Sequence, residues 1–303
     1  MTTTAAPAAG MPSGRILNAM TVDVEDWFQV QAFAGTISRD AWDTLPRRVE
    51  ANTDRILALF DQAGVRATFF TLGWVAERHP ALIRRIVAGG HELASHGHMH
   101  ELVHAIGPER FRADLARARA ALEDAGGVRV IGYRAPTFSI GPASAPWAHA
   151  ILAETGHAYS SSIFPVKHDL YGTPDAPRGP HRPDTSGVIE LPMTTVRLGA
   201  RNLPCSGGGW FRLFPYALFR RGLGRVNTVE RRPGIFYFHP WEIDPDQPRV
   251  AEAPRLSRFR HYTGMASMAA RVGRLLADFS WGRMDAVFAD ALPTAHTGSA
   301  ARA

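Results

Sequence analysis

Apolar, β-patterned runs alternate with helix-patterned stretches through the first half of this chain, and run after run stops at a polar residue. Residues 15–24 carry Ile16, Leu17, Met20, Val22 and Val24 and lead into Asp23, Glu25 and Asp26. The spacing of Val49, Ile56, Leu57 and Phe60 predicts a helix over 47–63 with Gly64 as its stop, and 65–72 is β-branched and aromatic. The pattern repeats, with helices expected over 80–88, 108–125 and 145–155 and strands over 91–95 and 128–133. Those two strands deliver His96 and Arg134. Strands joined through helices run parallel, since the crossover must return the chain to the same end of the sheet. A parallel α/β barrel is the expectation, with its chemistry at the C-terminal ends of the strands.

The second half is less regular. Residues 164–187 are rich in Pro, Gly, His and Asp and read as a long surface loop. Short strands are expected over 188–192 and 196–198, and a tight turn over 206–210. A late strand over 234–238 ends at His239, and a closing helix spans 264–277. A chain of 303 residues can bury one large core, so the expected division is a flexible tail over 1–14, one domain over 15–285 and a flexible C-terminal tail over 286–303.

The formal net charge of +6 could serve an acidic partner, but the arginines are scattered, Lys167 is the sole lysine, and no nucleic-acid-binding motif is present. Nucleic acid is therefore not an expected partner. Cys205 is the only cysteine, which excludes an intrachain disulfide and a thiolate metal cluster, so any metal must rest on nitrogen and oxygen. No apolar run reaches the 18 residues of a membrane span. The opening residues lack a basic segment and an apolar core, so they do not read as a signal peptide. The expectation from these absences is a cytoplasmic protein with no integral membrane segment.

His96 and His100 stand four apart directly after a strand, a spacing that places two imidazoles on one face of a helical turn, close enough to share one ion. Glu25 or Asp26 would add a carboxylate. One carboxylate and two histidines leave coordination positions open, an arrangement that belongs to catalysis more often than to structure. A divalent ion there lowers the pKa of bound water from 15.7 to about 7, which yields a nucleophile for an amide or ester carbonyl. Asp23 is the candidate general base, Arg134 would orient it, and His239 would protonate the leaving nitrogen. A backbone N–H near Thr137 is a candidate for stabilising the oxyanion.

The set Thr21 to Asp26, His96-Gly97-His98-Met99-His100, Arg134-Ala135-Pro136 and Phe238-His239-Pro240-Trp241-Glu242 resembles the ordered motifs of the NodB-type polysaccharide deacetylases, carbohydrate esterase family 4, from about residue 16 to 282. More narrowly, Asp23-Val24-Glu25-Asp26-Trp27-Phe28, Ser161 to Pro165, His168 to Gly172 and His239 to Glu242 resemble deacetylases found with exosortase and exopolysaccharide loci. The resemblance implies a distorted (β/α) barrel of about seven parallel strands and metal-dependent removal of N-acetyl groups from an amino-sugar polysaccharide. Position by position it gives Asp23 as base, Arg134 as the residue that positions it, His96 and His100 as metal ligands and His239 as acid. Zinc is the expected ion, with cobalt, nickel or manganese as alternatives.

Two departures from the family pattern stand out. The usual adjacent acids are split here by Val24; a related Asp-x-Asp spacing favours Glu25 as the ligand, whereas a bend after Val24 favours Asp26. Relatives often carry Asp where this chain has Ser160, an acid that supports the catalytic histidine; Asp169 and Glu242 are the candidate substitutes. Trp210 and Trp241 are expected to stack on sugar rings. The rival readings are a hydrolase of a small non-sugar amide on the same fold, and a catalytically silent carbohydrate-binding protein.

Overall fold

A computed structural model describes residues 15–293, so the tail expected over 1–14 lies outside the described residues. The chain opens with strand β1 (Leu17–Val24), two short 3₁₀ turns, helix α1 (Val49–Gln62) and strand β2 (Thr68–Thr71). Helices α2 (Gly73–Arg78) and α3 (Pro80–Ala88) lead to β3 (Glu92–Ser95), and α4 (Val103–Gly126) leads to β4 (Gly132–Tyr133). Then come α5 (Ala148–Glu154), β5 (Tyr159–Ser160), β6 (Ile189–Glu190) and a hairpin of β7 (Thr195–Leu198) and β8 (Arg201–Pro204). Helices α6 (Gly208–Leu213) and α7 (Tyr216–Thr228) precede β9 (Ile235–Phe238). Helices α8 (Arg255–Tyr262) and α9 (Met265–Asp278), strand β10 (Ser280–Gly282) and helix α10 (Met284–Val287) close the domain.

Every pairing in the main sheet is parallel, in the order β9, β1, β2, β3, β4, β5, β6, with β10 paired to the first residues of β1. The sheet curls. Ala19, Phe70, Ala94, Tyr159, Ile189, Ile235 and Tyr237, drawn from six strands, meet in one buried cluster on its concave side. The alternate residues Met20, Val22, Val24, Phe69 and Leu93 face outward and pack against Ile56 and Phe60 of α1, Ile83 of α3 and Val272 of α9. Strands buried on both faces explain why these segments read as nearly continuous apolar runs. Gly132 in β4 is required by this packing, since a Cβ there would lie 2.3 Å from the Tyr159 ring inside the barrel. The distorted barrel of about seven parallel strands expected from sequence is the fold found, as an open half-barrel of seven strands with short β10 added beside β1 as an eighth.

Several local expectations need correction. The strand expected over 128–133 shrinks to Gly132–Tyr133 because the Glu123 carboxylate of α4 takes the Val130 N–H at 2.9 Å. Helices α2, α6, α7 and α8 were not anticipated, and the turn expected over 206–210 is the entry to α6, with Gly207 at φ 90°. The C-terminal tail expected over 286–303 begins too early, because Phe288 and Leu292 are buried in the inner cluster. No helix among the described residues is long and apolar enough to cross a membrane.

Beneath the barrel, the Glu92 carboxylate is buried and accepts from Thr68 Oγ1, Tyr159 OH and the Asp285 N–H. Burial and the nearby Asp285 charge push its pKa from 4.5 up to about 7. The folded state then holds a proton that the unfolded chain releases at lower pH, so this group's contribution is fully present below about 4.5 and is lost as pH rises through about 7. Glu92→Gln should therefore flatten the pH dependence of thermal unfolding. At pH 8 the variant should gain up to roughly 3 kcal/mol on the wild type relative to pH 4; parallel pH profiles for the two proteins would contradict this.

Candidate metal centre and catalytic cleft

Strand parity brings Thr21 and Asp23 to the inner side of β1, and a tight bond from the Glu25 N–H to the Asp23 carbonyl (3.1 Å) turns the chain at the strand end. Glu25 thereby joins the histidines, with Oε2 2.9 Å from His100 Nε2. Asp26 is sent elsewhere. Its Oδ1 accepts from the Trp27 N–H, and its Oδ2 accepts from the N–H groups of Arg48 and Val49 at the start of α1. Asp26 thus satisfies orphan donors of a helix N-terminus, which removes it from the candidate ligands.

The His96–His100 segment is a loop, not the helical turn its spacing suggested. Gly97 (φ 76°) and His100 (φ 49°) both sit in the left-handed region and fold the loop back on itself. Asp114 of α4 accepts from the N–H groups of His98 and Met99, while Arg39 donates to the carbonyls of Met99 and His100. His96 Nδ1 donates to the Arg134 carbonyl at 2.8 Å, which leaves Nε2 as its ligand atom. Burial lowers the pKa of His96 to about 4, so its ring is neutral near pH 7, as a ligand must be.

One ligand atom each from Glu25, His96 and His100 lie within 4.8 Å of one another, all three residues being buried. Glu25 is buried with its Oε2 facing His100 Nε2 at 2.9 Å, so a carboxylate oxygen and an imidazole nitrogen, both ligand atoms, are crowded together away from water, where a cation would offset the cost of the buried charge. Burial raises the Glu25 pKa, but the surrounding His100, His239 and His96 outweigh it and hold the pKa at about 2. An anionic oxygen and two imidazoles form a hard-to-borderline donor set that fits a divalent ion such as zinc.

Beside this cluster Arg134, with no exposure to water, donates from Nη1 to Asp23 Oδ1 at 2.6 Å and to Thr21 Oγ1 at 2.8 Å. Its other donors reach the Ser161 carbonyl and Oγ, and its guanidinium carbon lies 4.0 Å from the Phe70 ring centroid. Buried Glu190 in turn accepts from the N–H groups of Ser162 and Ile163, so β6 fixes the turn after β5. Ser160 donates to Ser162 Oγ within this turn, and among the described residues no hydrogen bond joins it to His239.

His239, after β9, is held by Glu242. Nδ1 donates to Oε1 at 2.7 Å, and the same carboxylate accepts from the His239 N–H and from buried Arg212 Nε at 2.7 Å. A Cβ at Gly208 would lie 2.2 Å from the Glu242 carboxylate oxygens, so only glycine at the start of α6 admits this pair. Burial lowers the His239 pKa, but the Glu242 hydrogen bond and the charges of Glu25, Glu242 and Asp23 push it up to about 9. The acid missing at Ser160 has its structural counterpart in Glu242; Asp169 instead pairs with Arg260 on the surface.

Asp23, Glu25, His96, His100, Thr137 and His239 all line one cavity of about 140 Å³. Thr137 stands on its wall at φ 55°, an unusual conformation for a β-branched residue. The two tryptophans are not the open platforms expected. Trp241 borders the cavity, but its indole N–H is 3.1 Å from Glu25 Oε1 and its faces stack between His239 and His261. Trp210 stands behind the cavity, stacked on Phe214, and donates to Tyr171, which does line it. Sequence reasoning missed Tyr171, Tyr237, Phe138 and Gln31 as lining residues; Tyr171 alone had a signal, its place in the His168 to Gly172 motif.

A polysaccharide deacetylase family profile matches residues 41–155, and one for a domain of unknown function (DUF3473) matches 161–289. Among curated proteins, a chitooligosaccharide deacetylase of Sinorhizobium fredii is 28% identical over 151 residues, 49% of this chain and 62% of that protein. A peptidoglycan-N-acetylglucosamine deacetylase of Bacillus cereus is 33% identical over 86 residues, 28% of this chain and 29% of that protein. The matches thus span less than two thirds of these relatives' length. Among solved structures, a protein from Mycobacterium smegmatis described as a polysaccharide deacetylase aligns with a TM-score of 0.59 and 22% identity over 95% of this chain and 94% of its own. A Puue allantoinase aligns with a TM-score of 0.56 and 18% identity over 90% and 89%. Both share the fold.

The two acids of the Glu25-Asp26 pair should separate in metal-content measurements after zinc loading and dialysis. Glu25→Ala is expected to lose the ion, while Asp26→Ala keeps it and instead loses about 1–2 kcal/mol of stability from the uncapped helix. Equal metal retention by both variants would remove Glu25 from the ligand set.

Proposed function

We propose that this chain is a metal-dependent hydrolase of the NodB type, carbohydrate esterase family 4, that removes N-acetyl groups from an amino-sugar polysaccharide, a reading supported by the polysaccharide deacetylase profile over residues 41–155 and the chitooligosaccharide deacetylase relative. The observation that carries this reading is the convergence of Glu25, His96 and His100 with Asp23 and His239 on one cavity at the C-terminal ends of parallel strands. We assign Glu25, His96 and His100 as ligands of a divalent ion, with zinc the first choice from the donor types and cobalt, nickel or manganese as alternatives. Such an ion supplies Lewis-acid polarisation of the acetyl carbonyl and lowers the pKa of bound water to about 7.

The chain's own residues divide the proton transfers. Asp23 accepts the proton of the attacking water, and Arg134 holds that carboxylate in place by a 2.6 Å charge-assisted bond. His239, its Nδ1 committed to Glu242, keeps Nε2 for the leaving nitrogen, which must be protonated because an amide anion is a poor leaving group. Thr137 lines the cavity, and a backbone N–H near it is the candidate donor to the oxyanion. Tyr171, Tyr237 and Phe138 enclose the acetyl group in an aromatic wall. The sequence resemblance to exopolysaccharide-locus deacetylases favours an exopolysaccharide or its precursor as the polymer, and the chitooligosaccharide deacetylase relative supports an N-acetylated sugar.

Acetate release from N-acetylglucosamine oligomers by the zinc-loaded chain tests the proposal, and a small-amide substrate cleaved instead would favour the rival hydrolase. His239→Ala should retain metal and lose about 10²–10⁴ in kcat on the acetamide. On p-nitrophenyl acetate, whose leaving group departs without protonation, the same variant should lose far less. Glu242→Gln should fall between wild type and His239→Ala on the acetamide. Undiminished acetamide turnover by His239→Ala would remove it as the acid.

A further inference from the structure

Helix α8 turns large apolar side chains to solvent. Leu256 and Phe259, one turn apart on it, are 55% and 56% exposed. Arginines flank them. Arg255 and Arg258 stand on the same helix and Arg249 on the segment before it, and among the described residues none of the three forms an ion pair. Arg260 is neutralised by Asp169, and Glu252 is the one acid between residues 249 and 262. Arg249, Arg258, Phe259 and Tyr262 line a surface cavity of about 560 Å³. The guanidinium carbon of Arg249 lies 4.3 Å from the Tyr262 ring centroid, and Tyr262 OH accepts the Val250 N–H at 2.9 Å, which fastens this segment to the helix. Arg258 Nε is buried without a hydrogen-bond partner, a cost that an anion rich in acceptor oxygens would offset.

The other side of α8 backs the catalytic cleft. His261 lies two residues beyond Phe259, about 200° further round the helix, and is buried. Its ring stacks on Trp241 at 4.2 Å, and Trp241 stacks on His239 at 5.0 Å. Phe33, 4.5 Å from the same ring, belongs to the 3₁₀ turn whose Gln31 lines the catalytic cavity. A helix diameter of about 10 Å thus separates the bare face of α8 from the wall of the cleft. A soluble polyanion would use the arginines and leave Leu256 and Phe259 in water. An anionic bilayer uses both, because its phosphates pair with arginine while leucine and phenylalanine enter the interface.

We propose that α8 docks the chain on an anionic phospholipid surface, with a headgroup phosphate between Arg249 and Arg258 and with Leu256 and Phe259 in the interface. This docking goes beyond the deacetylase reading and does not depend on it. Docked in this way, the catalytic cleft lies at the bilayer surface. The test is co-sedimentation of the full chain with vesicles of phosphatidylcholine alone and of an equal mixture of phosphatidylcholine and phosphatidylglycerol, with soluble polygalacturonate as a second polyanion. Each arginine at an anionic surface is worth a factor of about five, so the three should favour the mixed vesicles by about 10², less as salt is raised. Arg249→Glu combined with Arg255→Glu, both exposed positions, should erase that preference. Leu256→Ser combined with Phe259→Ser should weaken binding to the mixed vesicles at least about tenfold, with metal content and thermal unfolding unchanged. Equal binding to the two kinds of vesicle, no binding to either, or binding intact in both pairs of variants overturns the proposal. Polygalacturonate bound as tightly as the mixed vesicles, by wild type and by the Leu256 and Phe259 variant alike, also overturns it and makes the arginines a site for an acidic polymer. Acetate release plays no part in the readout, so failure of the deacetylase assay leaves the docking result standing.

Discussion

A guanidinium shut away from water inside the barrel is the constraint on which the site depends. Arg134 cannot shed its charge, so burial obliges the surroundings to pair it and to occupy its donors. Asp23 and Thr21 from β1, the turn after β5 and the ring of Phe70 from β2 supply those partners. Removing one member of such a pair typically costs about 3–5 kcal/mol, because the other charge is left buried and alone. The same contacts that stabilise the ion therefore fix where Asp23 sits, and its carboxylate cannot wander from the cavity. Stability and preorganisation are here one set of bonds.

A second buried pair does the same for the candidate acid, His239. Arg212 and Glu242 are both buried, and Arg212 spends its remaining donors on the carbonyls of Arg260, His261 and Thr263. Through Glu242 this pair orients His239, so α6 and α8 act on a ring that neither of them carries. The family profile that covers 41–155 includes His96, His100 and Arg134, while His239, Glu242 and Arg212 fall within 161–289. The two matched regions therefore meet in one centre. The domain of unknown function supplies its candidate acid and the carboxylate that holds that acid.

The strands that build the centre were legible because they are buried on both faces and end in ionisable residues, as with Met20 to Asp23 and Ile235 to His239. Glu25 and Asp26 were not separable by sequence, since the choice depends on a tight bend after Asp23 and on three backbone N–H groups that claim Asp26, two of them 22 and 23 residues away. Helix α7 is not legible in the sequence because Gly222 and Gly224 interrupt its pattern, and packing of Phe219, Leu223 and Val226 overrides their low propensity. Trp241 looked like a sugar platform because an indole beside a catalytic motif is ambiguous until its faces are known to be covered. The histidine pair was found at the right spacing for the wrong reason, as a left-handed glycine loop rather than a helix brings the rings together.

The most direct measurement is anomalous diffraction from crystals of the zinc-loaded chain, recorded at the zinc edge. A single strong peak bonded to Glu25, His96 and His100, with an open side facing Asp23 and His239, is the predicted result. A peak on any other set of side chains, or a zinc shell closed by a fourth protein ligand, would contradict a catalytic metal centre at this end of the barrel.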